Sequence, residues 1–289
     1  MLQALFIIFP VFFIVLCGYI YARFLRPDMQ AINRMILDLL VPALVFSVMS
    51  SKDFQIAIYA DLAIAASIII LASGLTAFVV AKLLSYEWRT LVPPMMFRNW
   101  GNLGIPLIVF TFGEQALNAA IILFLIGNVW HFTLGIFLMS GRLSVVEFIK
   151  TPVIIAMVLG LLINAIDGEL PRELVLPIEM LGQAAIPLML VSLGVRLQHV
   201  HWSDLSMAFV GSCLGPIVGI LLAWLLANVL GMNPEQMKQI MIFGALPPAV
   251  MNFIFAERYH LEPEKVASIV LLSNLMAVLV YFVLLYLIV

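Results

Sequence analysis

Ten runs of apolar residues, each close to the length of a bilayer-crossing helix and parted by short polar joints, dominate this chain. They lie near 3–23, 30–50, 57–83, 90–112, 116–139, 147–166, 174–195, 205–230, 236–257 and 266–288. A helix needs about 20 predominantly apolar residues to cross the hydrocarbon core. Only 10% of the 289 residues are charged and 64% are hydrophobic, whereas a soluble domain wets its surface with about 25% charged residues. The 14 Lys+Arg and 16 Asp+Glu cannot coat a soluble globule of 32.1 kDa. The chain therefore reads as an all-α, multi-pass integral membrane protein with ten transmembrane helices and no room for a separate soluble domain. Its first segment, MLQALFIIFPVFF, has neither a basic leader nor a small-residue cleavage site and reads as a span, not a signal peptide.

A net charge of −2 with no basic run excludes a nucleic-acid binder. Cys17 and Cys213 sit inside apolar spans, far from any Cys or His at metal-ligand spacing, and read as packing residues. The HVH at His199 to His201 is too short to argue a metal site, so no metal and no cofactor are expected. The loops divide sharply by charge. One side of the membrane collects Arg23, Arg26, Arg34, Lys82, Arg89, Arg142, Lys150, Arg196, Arg258 and Lys265; the other holds only Lys52, Arg172 and Lys238. By the positive-inside rule both termini face the non-cytoplasmic side of the cell (inner or plasma) membrane. Tyr86, Trp88 and Trp202 read as interfacial anchors.

Residue patterns recur between the halves. Pro10 and Gly18 return as Pro152 and Gly160; Pro42, Ser47 and Gly74 return as Pro187, Ser192 and Gly219; Asn128 returns as Asn274. This aligns segments one to five (1–140) with six to ten (147–289), and five being odd, the halves take opposite orientations. The fourth and ninth segments stand apart. LVPPMMFRNWGNLGIPLIVF carries Pro93, Pro94, Arg98, Asn99, Gly101, Asn102, Gly104 and Pro106; IFGALPPAVMNFIFA carries Gly244, Pro247, Pro248 and Asn252. Under the same offset Asn102 aligns with Pro248 and Pro106 with Asn252. Proline removes a backbone donor and glycine weakens a helix. Unwound backbone survives at membrane depth only where it lines a protein cavity. Two such breaks at matching places predict discontinuous helices crossing near the midplane, their half-helix N-termini offering N–H groups and partial positive charge to an anion.

RNWGNLGIPL with FTFG resembles the fourth-helix signature of the auxin efflux carrier family of secondary transporters, LPPAVMNFIFAERY its ninth-helix motif, and NRMILDLLVPALVFSVMS its second helix. The resemblance covers essentially the whole chain. It implies a five-plus-five inverted repeat of the sodium/proton antiporter-like or bile-acid-symporter-like type. Helices 1, 2, 6 and 7 then form a scaffold, and helices 3–5 and 8–10 an elevator-type transport core with helices 4 and 9 crossing. It also implies movement of small organic anions, and a homodimer through the scaffold. The family's crossing asparagine matches Asn102 and its crossing prolines match Pro106 and Pro248; Asn252 matches less closely. Two departures stand out: only about seven residues follow helix five where plant carriers have a long loop, and no acidic residue lies between Gln236 and Glu257 where bile-acid sodium symporters place one.

The expected activity is thus secondary or facilitative transport of small carboxylates by alternating access. The substrate-binding candidates are Asn102, Arg98, Asn99, Gly101, Gly104 and Asn252, with Pro106, Pro247 and Pro248 shaping the crossing. Arg98 reads either as a counter-charge for the substrate with Asp38 as its resting partner, or as a snorkelling residue beside an Asp38–Arg34 pair. His131 is a candidate proton-coupling group or a buried structural histidine, and Asn128 and Asn274 line the cavity or join helices. The alternatives are a sodium-coupled symporter of the bile-acid type, or an intramembrane enzyme, for which no HExxH, no GxSxG and no paired carboxylates are present.

Overall fold

The computed structural model describes residues 2–25, 27–52, 54–141, 149–166, 168, 170–197 and 203–288. Arg26, Arg142, His199, His201 and Trp202, and the expected start of the second half at 147, lie outside them. The described residues are helical with no strand beyond a single isolated bridge. In chain order the helices are α1 (Leu2–Leu25), α2 (Met29–Met49), α3 (Ala60–Leu83), α4 (Trp88–Met96), α5 (Trp100–Phe112) and α6 (Glu114–Ser140). They continue as α7 (Pro152–Ala165), α8 (Arg172–Arg196), α9 (Leu205–Val229), α10 (Pro234–Ala245), α11 (Met251–Arg258) and α12 (Pro263–Ile288). Seven of them, α1, α2, α3 with the turn before it, α6, α8, α9 and α12, are long and apolar enough to cross a membrane. Large hydrophobic side chains such as Phe6, Phe24, Leu75, Leu221 and Val229 are exposed along their outer faces, which in a chain of this composition is the surface that lipid covers.

Capping and proline chemistry explain the local boundaries. Asp28 accepts from the Gln30 amide at 2.9 Å to start α2, and Asn233 accepts from Gln236 at 2.8 Å to start α10. In both α2 and α5 a five-residue π turn, Ile36–Leu40 and Trp100–Gly104, ends two residues before a proline, Pro42 and Pro106. Proline withdraws the donor that its i−4 carbonyl needs, and widening the preceding turn lets Val41 and Ile105 bond instead to Ile36 and Trp100. Pro106 therefore sits one turn inside α5 rather than at the break.

Two packing groups emerge. Helices α1, α2, α7 and α8 pack together, and α3, α4, α6, α9, α10, α11 and α12 pack together. In the first group α1 lies directly on α8, where a Cβ on Gly194 would stand 1.9 Å from the Val15 carbonyl oxygen. In the second, α9 and α10 touch backbone to backbone, a Cβ on Gly219 falling 1.8 Å from the Gly244 oxygen. Small residues at such crossings let helices gain van der Waals contact where lipid offers no hydrophobic drive. Tyr86 reaches across to bond Ser206 at 2.5 Å, and Trp88 is half-buried against Phe78.

Candidate functional site

The α4–α5 and α10–α11 breaks lie side by side. Asn99 donates its N–H to the Pro247 carbonyl at 2.8 Å and Ala249 donates to the Phe97 carbonyl at 3.0 Å, with Arg98 opposite Pro248 in an antiparallel bridge. The two hydrogen bonds exchange when each residue is swapped for the one 150 positions away. About that bridge Asn102 and Asn252 hold equivalent places, each four residues past the bridging pair, whereas the sequence alignment put Asn102 against Pro248. The helices on the two sides of the bridge differ in length: α10 runs 12 residues where α4 runs 9, and α11 has only 8.

Two consecutive prolines strip α10 of its closing donors, and the structure supplies each replacement. The Phe243 carbonyl takes the Leu246 N–H at 3.3 Å, which leaves the Ile242 carbonyl to the Tyr281 hydroxyl at 3.2 Å. The Gly244 carbonyl, whose i+4 residue is Pro248, accepts from Arg98 Nη1 at 2.7 Å, and the same nitrogen reaches the Leu246 carbonyl at 3.1 Å. Nη2 of Arg98 donates to Ser73 Oγ and to the Gly215 carbonyl, both at 3.1 Å. The side chain is 2% exposed. Its guanidinium thus joins α3, α9 and the C-terminal end of α10, where positive charge complements the helix dipole. Arg98 thus neither snorkels nor rests on Asp38, while the Asp38–Arg34 pair that the second reading expected is present, at 3.5 Å on an exposed face of α2.

On the other side of the breaks is a cavity of about 300 Å³ between the two packing groups. Asn99, Trp100, Gly101, Asn102, Ala249, Val250 and Met251 form its floor. Phe124, Asn128, His131 and Phe132 of α6 form one wall; residues of α2, Pro152 to Ile154 of α7, and Ser192 and Arg196 of α8 form the other. Among the described residues the backbone N–H groups of Gly101, Asn102, Val250 and Met251 have no acceptor. These are the orphan donors of two helix N-termini, both opening on one cavity. The Asn99 amide nitrogen, 4% exposed, is also without a partner, and the half-buried Asn102 amide makes no hydrogen bond to the described residues. Asn99 is the buried one of these, and a buried donor left unpaired costs about 1–3 kcal/mol; the cluster can meet an acceptor that arrives from outside.

The remaining predicted residues separate. Gly104 contacts Leu246, where a Cβ would come within 3.0 Å, so it is a packing residue of the crossing. Asn252 is fully buried, and its amide nitrogen donates to the Phe97 and Ala249 carbonyls at 2.7 and 2.9 Å. Asn274 likewise donates to Pro248 at 3.3 Å and Val270 at 2.8 Å. Both brace the second break from behind, whereas Asn128 donates to Phe124 at 2.8 Å and borders the cavity. His131 is buried with its ring stacked 4.5 Å from Phe97 and edge-on to Phe255, on the cavity wall. Sequence reasoning missed Arg196, read only as a loop charge, and the Ser192–Asn33 hydrogen bond of 2.5 Å that closes the α2–α8 wall.

Comparison with known proteins agrees with this architecture. Residues 4–148 and 142–285 match the family described as membrane transport protein. The chain belongs to that family, the auxin efflux carrier-like transporters. It is 22% identical over 298 residues to an uncharacterized transporter of Methanocaldococcus jannaschii, covering 95% of each chain. It is 24% identical over 310 residues to a candidate malonate transporter of Rhizobium meliloti, covering 98% of this chain and 95% of that one. As a member of the membrane transport protein family the chain is an integral, multi-pass membrane protein, and the resemblance carried by its fourth- and ninth-segment motifs holds along its length.

Proposed function

We propose that this membrane transport protein moves small organic anions by alternating access, binding them in the cavity at the paired breaks. The single observation that carries the reading is the convergence of two helix N-termini, with four acceptor-free N–H groups and the unpaired Asn99 amide, on one cavity. Partial positive charge and neutral donors suit a carboxylate. In this reading the seven long helices, the short α7 and the two broken pairs α4–α5 and α10–α11 are ten spans forming an inverted repeat. The group α1, α2, α7 and α8 is the scaffold, and the other helices move against it as the transport core. The cavity lies on their shared boundary, as alternating access requires. Its walls reach Asn33, Thr151 and Arg196, beside charges of the side that the charge asymmetry reads as cytoplasmic, so in this reading the cavity opens inward with both termini outside. Of the two coupling candidates, His131 beside the donor cluster is better placed for proton coupling than the solvent-facing Asp38.

The test is Asn102→Ala in proteoliposomes, with counterflow of labelled carboxylates at matched expression and melting temperature. Loss of flux with an unchanged melt is the expected result. Normal flux would remove Asn102, and with it the cavity, from the transport path. The sodium-coupled alternative predicts flux that depends on a sodium gradient in the same assay.

A further inference from the structure

Two arginines border the cavity, and they are in opposite circumstances. Arg98 turns its guanidinium away, onto four protein acceptors. Arg196, the last residue of α8, is half-buried and has no hydrogen bond or ion pair among the described residues. It lines both the main cavity and an adjoining pocket of about 50 Å³ that runs behind α11 to Asn274. Of the other acidic or basic groups on the main cavity wall, Asp38 has Arg34, and His131 lies between aromatic rings.

We propose that Arg196 is the fixed counter-charge for the carried anion and sets how many carboxylates it bears. This rests on the reading of the cavity as the transport site. One end of the cavity holds the amide cluster of Asn99, Gly101 and Asn102; another part of the wall holds a full positive charge with a planar fork of donors. Side chains such as Ile36, Leu37, Phe124 and Phe132 line the space with apolar surface. A site with two anion-accepting parts and apolar flanks fits a short two-headed carboxylate. One head is held bidentately by Arg196 and the other by the half-helix N-terminus. A monocarboxylate fills only one of them.

The experiment compares wild type, Arg196→Gln and Arg196→Lys in proteoliposomes. The probes are malonate and succinate against the carbon-matched propionate and butyrate, with melting temperature in detergent as the folding control. Loss of one charge-assisted contact raises the half-saturating concentration of the dicarboxylates by about tenfold or more in Arg196→Gln. The monocarboxylates move by less than about threefold, Arg196→Lys recovers part of the loss, and the ligand-free melt stays at the wild-type value. Equal shifts for both classes, or no shift, would overturn the assignment, as would a lowered ligand-free melt with both classes falling together. If Asn102→Ala abolishes flux while Arg196→Gln keeps full discrimination, the cavity stands and Arg196 does not. If no form moves any carboxylate, the transport reading itself fails.

Discussion

Replacing Arg98 by Gln separates a structural cation from a substrate-binding one. The guanidinium makes four hydrogen bonds of 2.7–3.1 Å to buried acceptors. Two of these acceptors are the carbonyls of Gly244, whose helical donor Pro248 has removed, and of Leu246, just past the end of α10. Glutamine is shorter and carries one NH₂ group with two donors, so it can restore two of these four contacts at best. At least two buried acceptors then lose their donor, at about 1–3 kcal/mol where one is left unpaired. Losing the charge-assisted bonds to Ser73 and Gly215 and the favourable charge at the end of α10 adds about 1–3 kcal/mol more. The expected total is about 2–6 kcal/mol, a large share of the stability of a typical domain. It is read as a pronounced fall in melting temperature in detergent and lower yield of folded protein. Arg98→Lys keeps the charge and one or two contacts, and falls between the two. Arg98→Gln with a wild-type melt but abolished anion-dependent stabilisation would refute the reasoning and return Arg98 to the role of substrate counter-charge.

Two further outcomes follow from the packing and the loops. A methyl group on Gly219 would stand 1.8 Å from the Gly244 oxygen, and backbone on both sides leaves no side chain to swing away. Gly219→Ala therefore costs at least the 1–3 kcal/mol typical of overpacking, about that or more, and lowers the melt in detergent; an unchanged melt would show that α9 and α10 do not touch this closely. Glu262, in the joint before α12, accepts from Thr90 at 2.6 Å and from Lys265 at 2.6 Å. Burial alone would raise its carboxyl, but these two hydrogen bonds and the Lys265 charge outweigh it and hold it below the usual glutamate value. A carboxylate depressed in the folded state stabilises above its unfolded value, and that contribution fades as pH falls through and below about 4.3. Glu262→Gln should accordingly melt lower at neutral pH and lose part of its acid sensitivity, whereas melting curves that stay parallel to those of the wild type from neutral pH to about one unit below that value would count against the pairing.

The primary structure determined the class of molecule because hydropathy is a local property. Charges too sparse to wet a globule, apolar runs of helical length, and Pro and Gly concentrated in two of them are all legible without knowing any contact. The motif around Asn102 was legible for the same reason: a broken helix and its free N–H groups follow from the residues that break it. What the sequence could not determine was where side chains go once two breaks meet. Arg98 lies one residue from Asn99, yet Asn99 presents its amide to the cavity and Arg98 turns to the Gly244 and Leu246 carbonyls, 146 and 148 positions away, the first of them orphaned by Pro248. Asn102 and Asn252 lie equally far past the bridging pair, yet the first makes no hydrogen bond to the described residues and the second is spent bracing the break. Arg196 looked like one more charge at a helix end until folding set α8 against α1 and α2 and made that end part of a cavity wall. Composition and spacing determine which groups must be satisfied; only the tertiary structure decides which of them are satisfied by protein and which are left for a ligand.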